Sequence, residues 1–254
     1  ECDTCHDLLS DGRRARQLFY RGELAETWKA RLGARDVEGR REPETLYSFT
    51  NSTEDIVAER PHGLPVSLET KIAVVYADGN AFRNLRERFG AEVFGEKLSA
   101  FRKSLLDRIL VWYVGSESSR ERSPFVVWDP STQTYGLRLE TLLWGGDELM
   151  FVMPSWLAVA FVEGFLAETK TWEIEGERLT HAIGVAIAHY KTPIRQLQKI
   201  ARASADLAKE AGLRSLDTVT FDVFESLAPP DLFLGTARAR VFLTPDDDEG
   251  HKDL

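Results

Sequence analysis

Cysteine is nearly absent: the 254 residues hold two, Cys2 and Cys5, both at the N-terminal edge. Two neighbouring thiols cannot build a disulfide framework, so the fold is expected to need no oxidising compartment, and the cytoplasm is the expected location. Long apolar runs are missing as well. Charges, Gly or Pro interrupt each apolar stretch well before the roughly 18 residues of a membrane span, so neither a transmembrane helix nor a secretory leader is expected. Positive charge is in deficit, with 32 Lys and Arg against 41 Asp and Glu, a net charge of -9. A nonspecific wrapper of DNA or RNA needs a basic surface and is disfavoured on this count, whereas a small anionic ligand held through metal ions is compatible with it. Core material is present in ordinary measure, 43% hydrophobic and 29% charged residues, which suits a globular chain and rules out disorder. With Glu1 rather than Met at its start and a cysteine pair at its edge, the chain reads as part of something longer.

Three segments follow from the pattern. In residues 1–66, positions 11–41 carry nine Arg or Lys against five acids, with Leu18, Leu24, Trp28 and Leu32 at helical spacing. That stretch reads as a solvated basic helix, or as a contact for RNA or a protein partner. Positions 40–65 are polar and punctuated by Pro43, Pro61, Gly63 and Pro65, and are expected to form a linker. Residues 67–228 form the main domain, and 229–254, with the acidic run at 246–249, a solvated tail.

Within the main domain, Lys71-Ile-Ala-Val-Val-Tyr76 is a β-branched run ending in Ala-Asp78-Gly79-Asn80, a buried strand meeting a turn. Phe82, Leu85, Phe89, Phe94, Leu98, Phe101, Leu105 and Ile109 predict a helical hairpin or a bent helix loosened at Gly90 and Gly95. Positions 125–128 read as an edge strand. Positions 137–144 read as a clearer one, turning through Gly145-Gly146-Asp147-Glu148 into the apolar run 149–153. Ser155 is expected to cap a helix over 156–170, and 181–189 to form another buried strand. Thr192 should cap a helix that begins at Pro193 and stops near Gly212, before a last strand over 218–224. The expected fold class is α+β, a ferredoxin-like βαββαβ arrangement with an added helix and strand.

That topology has a chemical consequence. The first two core strands run parallel and the third returns from a tight turn, so Asp78 at one strand end and Asp147 with Glu148 at the hairpin tip should share one edge of the sheet. Like charges repel unless a cation sits among them, and hard oxygen ligands suit Mg²⁺ or Mn²⁺, which bind one or two carboxylates and leave room for substrate phosphates. Gly145 and Gly146 let the hairpin turn tightly beside a bulky ligand. Gly79 and Asn80 open a helix, through Ala81 and Phe82, whose amides could hold a phosphate. The helix from Pro193, about 28 Å long, should return to the acidic edge and deliver Lys209 and Arg214 to a triphosphate tail.

These residues resemble a known group. Ile-Ala-Val-Val-Tyr-Ala-Asp78-Gly79-Asn80-Ala81-Phe82, the Trp-Gly145-Gly146-Asp147-Glu148-Leu hairpin and Gly-Val-Ala-Ile-Ala-His-Tyr-Lys-Thr-Pro193 look like the palm domain of the CRISPR polymerase family, the large subunit of type III CRISPR effector complexes, and more distantly like GGDEF nucleotide cyclases. The resemblance implies a nucleotidyltransferase that joins nucleoside triphosphates, ATP favoured, into cyclic oligonucleotides or cyclic dinucleotides used as antiviral second messengers, with pyrophosphate released. It assigns Asp78 and Asp147 as metal ligands, Glu148 as a second ligand or supporting acid, and Lys209 as a phosphate-binding lysine. Two departures stand out: Leu213 occupies the position expected to hold Arg, with Arg214 one step on, and the hairpin ends in Asp-Glu rather than Asp-Asp. One palm supplies one nucleotide site, so a homodimer or a partner palm is expected, with CRISPR-complex subunits or RNA as further partners. The rival expectation is a catalytically silent palm that binds nucleotide or acts as a scaffold.

Cys2-Asp-Thr-Cys5-His6 matches a haem-attachment spacing that a cytoplasmic chain would not use. The pair reads as inert or as half of a Zn²⁺ site, two thiolates needing two further ligands. It also resembles the cysteine-rich segment ahead of CRISPR palms. His6-Asp7 spells a phosphohydrolase dipeptide without a second histidine cluster, and His181 and His189 read as structural.

Overall fold

The computed structural model describes residues 47–50, 52–58, 63–114, 124–130, 133–225 and 240–243. Cys2, Cys5, His6, the basic stretch at 11–41 and most of the acidic tail lie outside the described residues. The elements run β1 (Tyr47–Phe49), α1 (Thr53–Val57), β2 (Lys71–Gly79), α2 (Phe82–Phe89), α3 (Ala91–Val114), β3 (Val126–Asp129), β4 (Thr134–Leu137), β5 (Glu140–Gly145) and β6 (Glu148–Pro154). They continue as α4 (Ala158–Thr169), β7 (Glu173–Ile174), β8 (Glu177–Arg178), β9 (His181–His189), α5 (Ile194–Ala211), β10 (Thr218–Val223) and β11 (Arg240–Leu243).

The central sheet has the order β11-β10-β9-β2-β6-β5. Four of its members, β2, β5, β6 and β9 in chain sequence, therefore stand in the order fourth, first, third, second, which is the ferredoxin-like βαββαβ arrangement. The added α5 and β10 extend it, with β10 parallel to β9. β2 is antiparallel to both neighbours, β6 and β9. Buried on both faces, it reads as the near-continuous apolar run that a central strand requires.

Alternation along β2 divides the core. Ile72, Val74 and Tyr76 pack with Met150 and Val152 beneath Leu197, Ile200, Ala201 and Ala205 of α5. Ala73, Val75 and Ala77 face the other way, onto the larger cluster that includes Phe151, Val185, Phe161, Phe165 and Leu105. α5 lies unusually close to its face. A methyl on Gly184 would stand 1.9 Å from the Ala201 carbonyl oxygen and 2.4 Å from the Ala205 nitrogen, so only glycine admits this approach.

The structure revises several expectations. Positions 40–65 are not all linker: β1 pairs in parallel with β4, and α1 buries Ile56. Arg138, a fully buried side chain, holds the end of α1 by donating to the carbonyls of Ile56, at 2.9 Å, and Ala58. The same inward side chain splits the strand expected at 137–144, because Leu137 ends β4 in a separate three-stranded sheet and β5 begins only at Glu140. Ser155 does not cap a helix; its hydroxyl donates to the Leu68 carbonyl at 3.1 Å, and the chain passes through a 3-10 turn into α4. At the start of α5 the cap position falls on Pro193 rather than Thr192, whose amide donates to the His189 carbonyl. A small hairpin, β7 with β8, was not anticipated; its turn uses positive φ at Glu175 and Gly176. The bend expected in the first helical stretch falls at Gly90, with φ +87°, while Gly95 lies inside α3.

Candidate active site at the acidic rim of the sheet

β2 ends at Gly79 and β6 begins at Glu148, with Asp78 directly opposite Glu148 in the antiparallel register. The two side chains therefore lie on the same face of the sheet, the one covered by α5. The two-residue loop between β5 and β6 is Gly146-Asp147, with Gly146 at φ +54°, a left-handed value that glycine takes without strain. The loop is tied to the end of β2, for the Gly79 amide donates to the Asp147 carbonyl at 3.0 Å. Asp78, Asp147 and Glu148 thus meet at one rim, as the topology required.

α5 brings two cations to the same rim. Lys209, in its last turn, donates to Asp78 at 2.6 Å, with both side chains largely buried (13% and 16% exposed). Arg202, seven residues earlier and on the same side of the helix, lies 3.3 Å from Glu148 Oε1. The Tyr76 hydroxyl donates to that same oxygen at 2.7 Å, and the Arg202 guanidinium lies over the Tyr76 ring, 4.7 Å from its centroid.

Charges respond to this crowding. Burial holds the Asp78 carboxyl above its ordinary range; the bond to Lys209 and its charge oppose the rise, while Asp147 and Glu148 add to it. Burial also drives the Tyr76 phenol far above its usual range, with the Glu148 bond and the Asp78 and Glu148 charges acting in the same direction against Arg202. Tyr76 is consequently a fixed proton donor to Glu148.

The remaining predicted residues divide into two groups. Gly145 and Gly146 border open space, with nothing within 4 Å of a Cβ added at either. Ala81 is exposed and takes φ +54°, a strained value for a residue with a Cβ, at the start of α2. Gly79, Asn80 and Phe82, by contrast, are spent inside the fold. A Cβ on Gly79 would meet the Phe82 ring at 2.5 Å. The Asn80 side chain donates to Thr180 and Leu216 and its amide to the Thr180 carbonyl. Phe82 packs edge-on against Phe94 and His181. The amides of Gly79 and Asn80 are thus already committed, and their expected phosphate role passes to positions from Ala81 onward. Arg214 is exposed, in a left-handed pair with Leu213, and makes no ion pair with the three acids.

Two residues of the site were missed, Tyr76 and Arg202. Each carried a periodic signal: Tyr76 lies two positions before Asp78 on a strand, and Arg202 lies two helical turns before Lys209.

Among the described residues, no group of three or more His, Cys, Asp or Glu side chains is arranged to hold a metal ion by itself. Two carboxylates, Asp78 and Glu148, stand opposite each other on one face with Asp147 in the adjoining turn, and hard oxygen donors in that number suit a cation that takes one or two carboxylates and completes its shell from substrate phosphates and water. It does not fit Zn²⁺ or another metal that needs a closed protein cage.

No known protein-family pattern and no curated protein matches the chain. Solved structures do. The GGDEF domain of DgcB from Caulobacter crescentus in complex with c-di-GMP aligns at 15% identity and a TM-score of 0.42, covering 74% of this chain and 98% of that one. A DgcB structure comprising the coiled coil and GGDEF domain aligns at 13% identity and 0.41, covering 84% and 98%. Diguanylate cyclase SiaD from Pseudomonas aeruginosa, in complex with its activator SiaC, aligns at 16% identity and 0.41, covering 87% and 75%. At these identities and scores the fold assignment stands on the strand order and register given above. Among the described residues, no helix is long and apolar enough to cross a membrane.

Proposed function

We propose that the chain is a divalent-cation-dependent nucleotidyltransferase of the palm type, which joins nucleoside triphosphates, ATP first among them, into a cyclic dinucleotide or cyclic oligonucleotide and releases pyrophosphate. The observation that carries this reading is the register pair Asp78 and Glu148 at the rim where Asp147 turns, with Lys209 on Asp78. In this reading Asp78, Asp147 and Glu148 hold Mg²⁺ or Mn²⁺. When bound, the cation lowers the pKa of the attacking ribose hydroxyl and neutralises charge at the α-phosphate and the departing pyrophosphate. Lys209 transfers its ammonium from Asp78 to the triphosphate, and the open surface at Gly145 and Gly146 leaves room for the sugar and base. Tyr76 keeps the Glu148 carboxylate oriented.

Two nucleotides must meet for a cyclic product, so the active species brings two palms together, either two copies of this chain or one copy and a partner palm. The Ala-Ile-Ala-His-Tyr-Lys-Thr-Pro stretch favours the CRISPR-polymerase branch over the diguanylate cyclases, and ATP is the substrate which that resemblance implies. The test is incubation of the chain, at concentrations high enough to dimerise, with Mg²⁺ or Mn²⁺ and each of the four nucleoside triphosphates, followed by mass spectrometry. A cyclic product with stoichiometric pyrophosphate is the expected result. Failure of all four nucleotides with both metals overturns the catalytic reading in favour of a silent nucleotide-binding or scaffold module.

A further inference from the structure

Arg202 has no task in the reading above. Its side chain is 45% exposed, it lies 3.3 Å from Glu148 Oε1, and its guanidinium carbon stands 4.7 Å from the centroid of the Tyr76 ring. Lys209, two turns on, meets Asp78 at 2.6 Å. Two of the rim's acids are therefore each matched by one cation from α5, and the pairs differ in kind: that of Lys209 is largely buried, that of Arg202 is exposed. An exposed ion pair of this length is worth only a few-fold in an equilibrium constant. Arg202 can leave Glu148 at small cost, while the aromatic shelf beneath it holds its planar group in place. A guanidinium matches phosphate in a bidentate fork, a stronger arrangement than the single contact it now makes.

We propose that Arg202 is a substrate-phosphate ligand that rests on Glu148. When a nucleoside triphosphate arrives with its divalent cation, Arg202 exchanges the carboxylate for phosphate oxygens, and Glu148 is freed to hold the cation. No covalent bond is made or broken in this exchange. The proposal rests on the nucleotidyltransferase reading and adds to it a phosphate-binding residue and a competition: Arg202 weakens the hold of Glu148 on the cation by a few-fold until substrate draws the arginine away.

Cation and nucleotide must be measured apart. Mn²⁺ alone is titrated by electron paramagnetic resonance of the free ion, and α,β-methylene-ATP with Mg²⁺ by calorimetry, on the full chain. Arg202→Met should tighten Mn²⁺ binding by about twofold to fivefold, the worth of one exposed ion pair. It should weaken the nucleotide analogue by about tenfold or more, the worth of a charge-assisted contact. Arg202→Lys should recover part of the nucleotide affinity. Lys199, exposed on the same helix three residues earlier, is the control; Lys199→Met removes the same charge and should move neither affinity appreciably. Opposite signs for cation and nucleotide separate exchange from a merely structural role, which shifts both in one direction and overturns the proposal. An equal pair of shifts in Lys199→Met overturns it too. If the wild-type chain binds neither Mn²⁺ nor the analogue, the nucleotidyltransferase reading fails and the proposal falls with it. If it binds both and Arg202→Met changes neither, only the exchange fails.

Discussion

Gly184→Ala tests how the rim is assembled. Gly184 pairs with Tyr76 in the register of β9 and β2, beneath α5. The added methyl would sit 1.9 Å from the Ala201 oxygen and 2.4 Å from the Ala205 nitrogen, both backbone atoms, so no side-chain rotation relieves the contact. Helix and strand must separate until the distance approaches 3.4 Å, where ordinary contact begins. Overpacking of this kind costs about 1–3 kcal/mol. In a domain of this size that lowers Tm by about 2–12 °C. The separation also withdraws Arg202 and Lys209 from Glu148 and Asp78, so affinity for the nucleotide analogue should fall together with stability. Gly95→Ala is the control, because nothing lies within 4 Å of a Cβ added there and the site is inside α3. Alanine in a helix interior should stabilise by about 0.5–1 kcal/mol. Urea unfolding followed by circular dichroism reads the first effect and calorimetry the second. A Gly184→Ala chain with the wild-type midpoint would show that the close approach of α5 is not what sets the rim.

Asp147→Ala and Asp78→Asn should each reduce product formation to background with a folded circular dichroism spectrum. The midpoint should stay near wild type for the exposed Asp147 and fall for Asp78, whose loss leaves Lys209 largely buried without its counter-charge; unchanged product yield in either refutes the assignment of that carboxylate. His181, buried among Phe82, Phe165 and Trp172, is pushed by burial first, and then by the charges of Arg178 and Lys209, from 6.5 down to about 3. Its contribution is complete above pH 6.5 and is lost as pH falls toward 3, because the unfolded chain takes up a proton that the folded chain refuses; the loss reaches up to about 5 kcal/mol. His181→Leu should therefore flatten the decline of stability between pH 6.5 and 4, and an unaltered slope in urea titrations across that window would remove His181 from the account. Arg138→Met leaves the Ile56 and Ala58 carbonyls without their buried donor and should cost about 1–3 kcal/mol, seen as faster hydrogen exchange over residues 52–58; equal protection in wild type and variant would mean that α1 is held by its apolar contacts alone.

The fold was legible where one periodicity dominated. β2 and β9 announce themselves as β-branched or small apolar runs bounded by turn residues, and α5 as an amphipathic stretch ending at Gly212. What stayed hidden depended on single long-range contacts. The parallel pairing of β1 with β4 joins residues some ninety positions apart, Tyr47 to Tyr135, and no local pattern in a proline-punctuated segment declares it. The inward turn of Arg138 is equally silent, since an arginine inside an apolar strand reads as an exposed edge until its partners, two carbonyls of a distant helix end, are known. The helix start expected at Ser155 was displaced for a related reason: the Ser155 hydroxyl is tied to the Leu68 carbonyl, across 87 positions, and the chain makes a 3-10 turn there before α4 begins.

The site shows the same division between what chain order dictates and what packing decides. Asp78 and the Asp147-Glu148 turn had to share a rim once the strand order was fixed, because a helix-linked parallel strand and a tight hairpin leave no other end for them. The cations had no such guarantee. Lys209 reaches Asp78 because α5 lies close enough to the sheet, and that closeness comes from Gly184 opposed to a row of small residues, Ala201, Ser204, Ala205 and Ala208, all buried. Larger side chains in that row would keep the helix amphipathic and the motif intact, yet hold Lys209 and Arg202 away from the acids they meet. The chemistry at the rim is thus set in part by residues that carry no charge, and a sequence can keep each acid and each base of this motif without keeping the site.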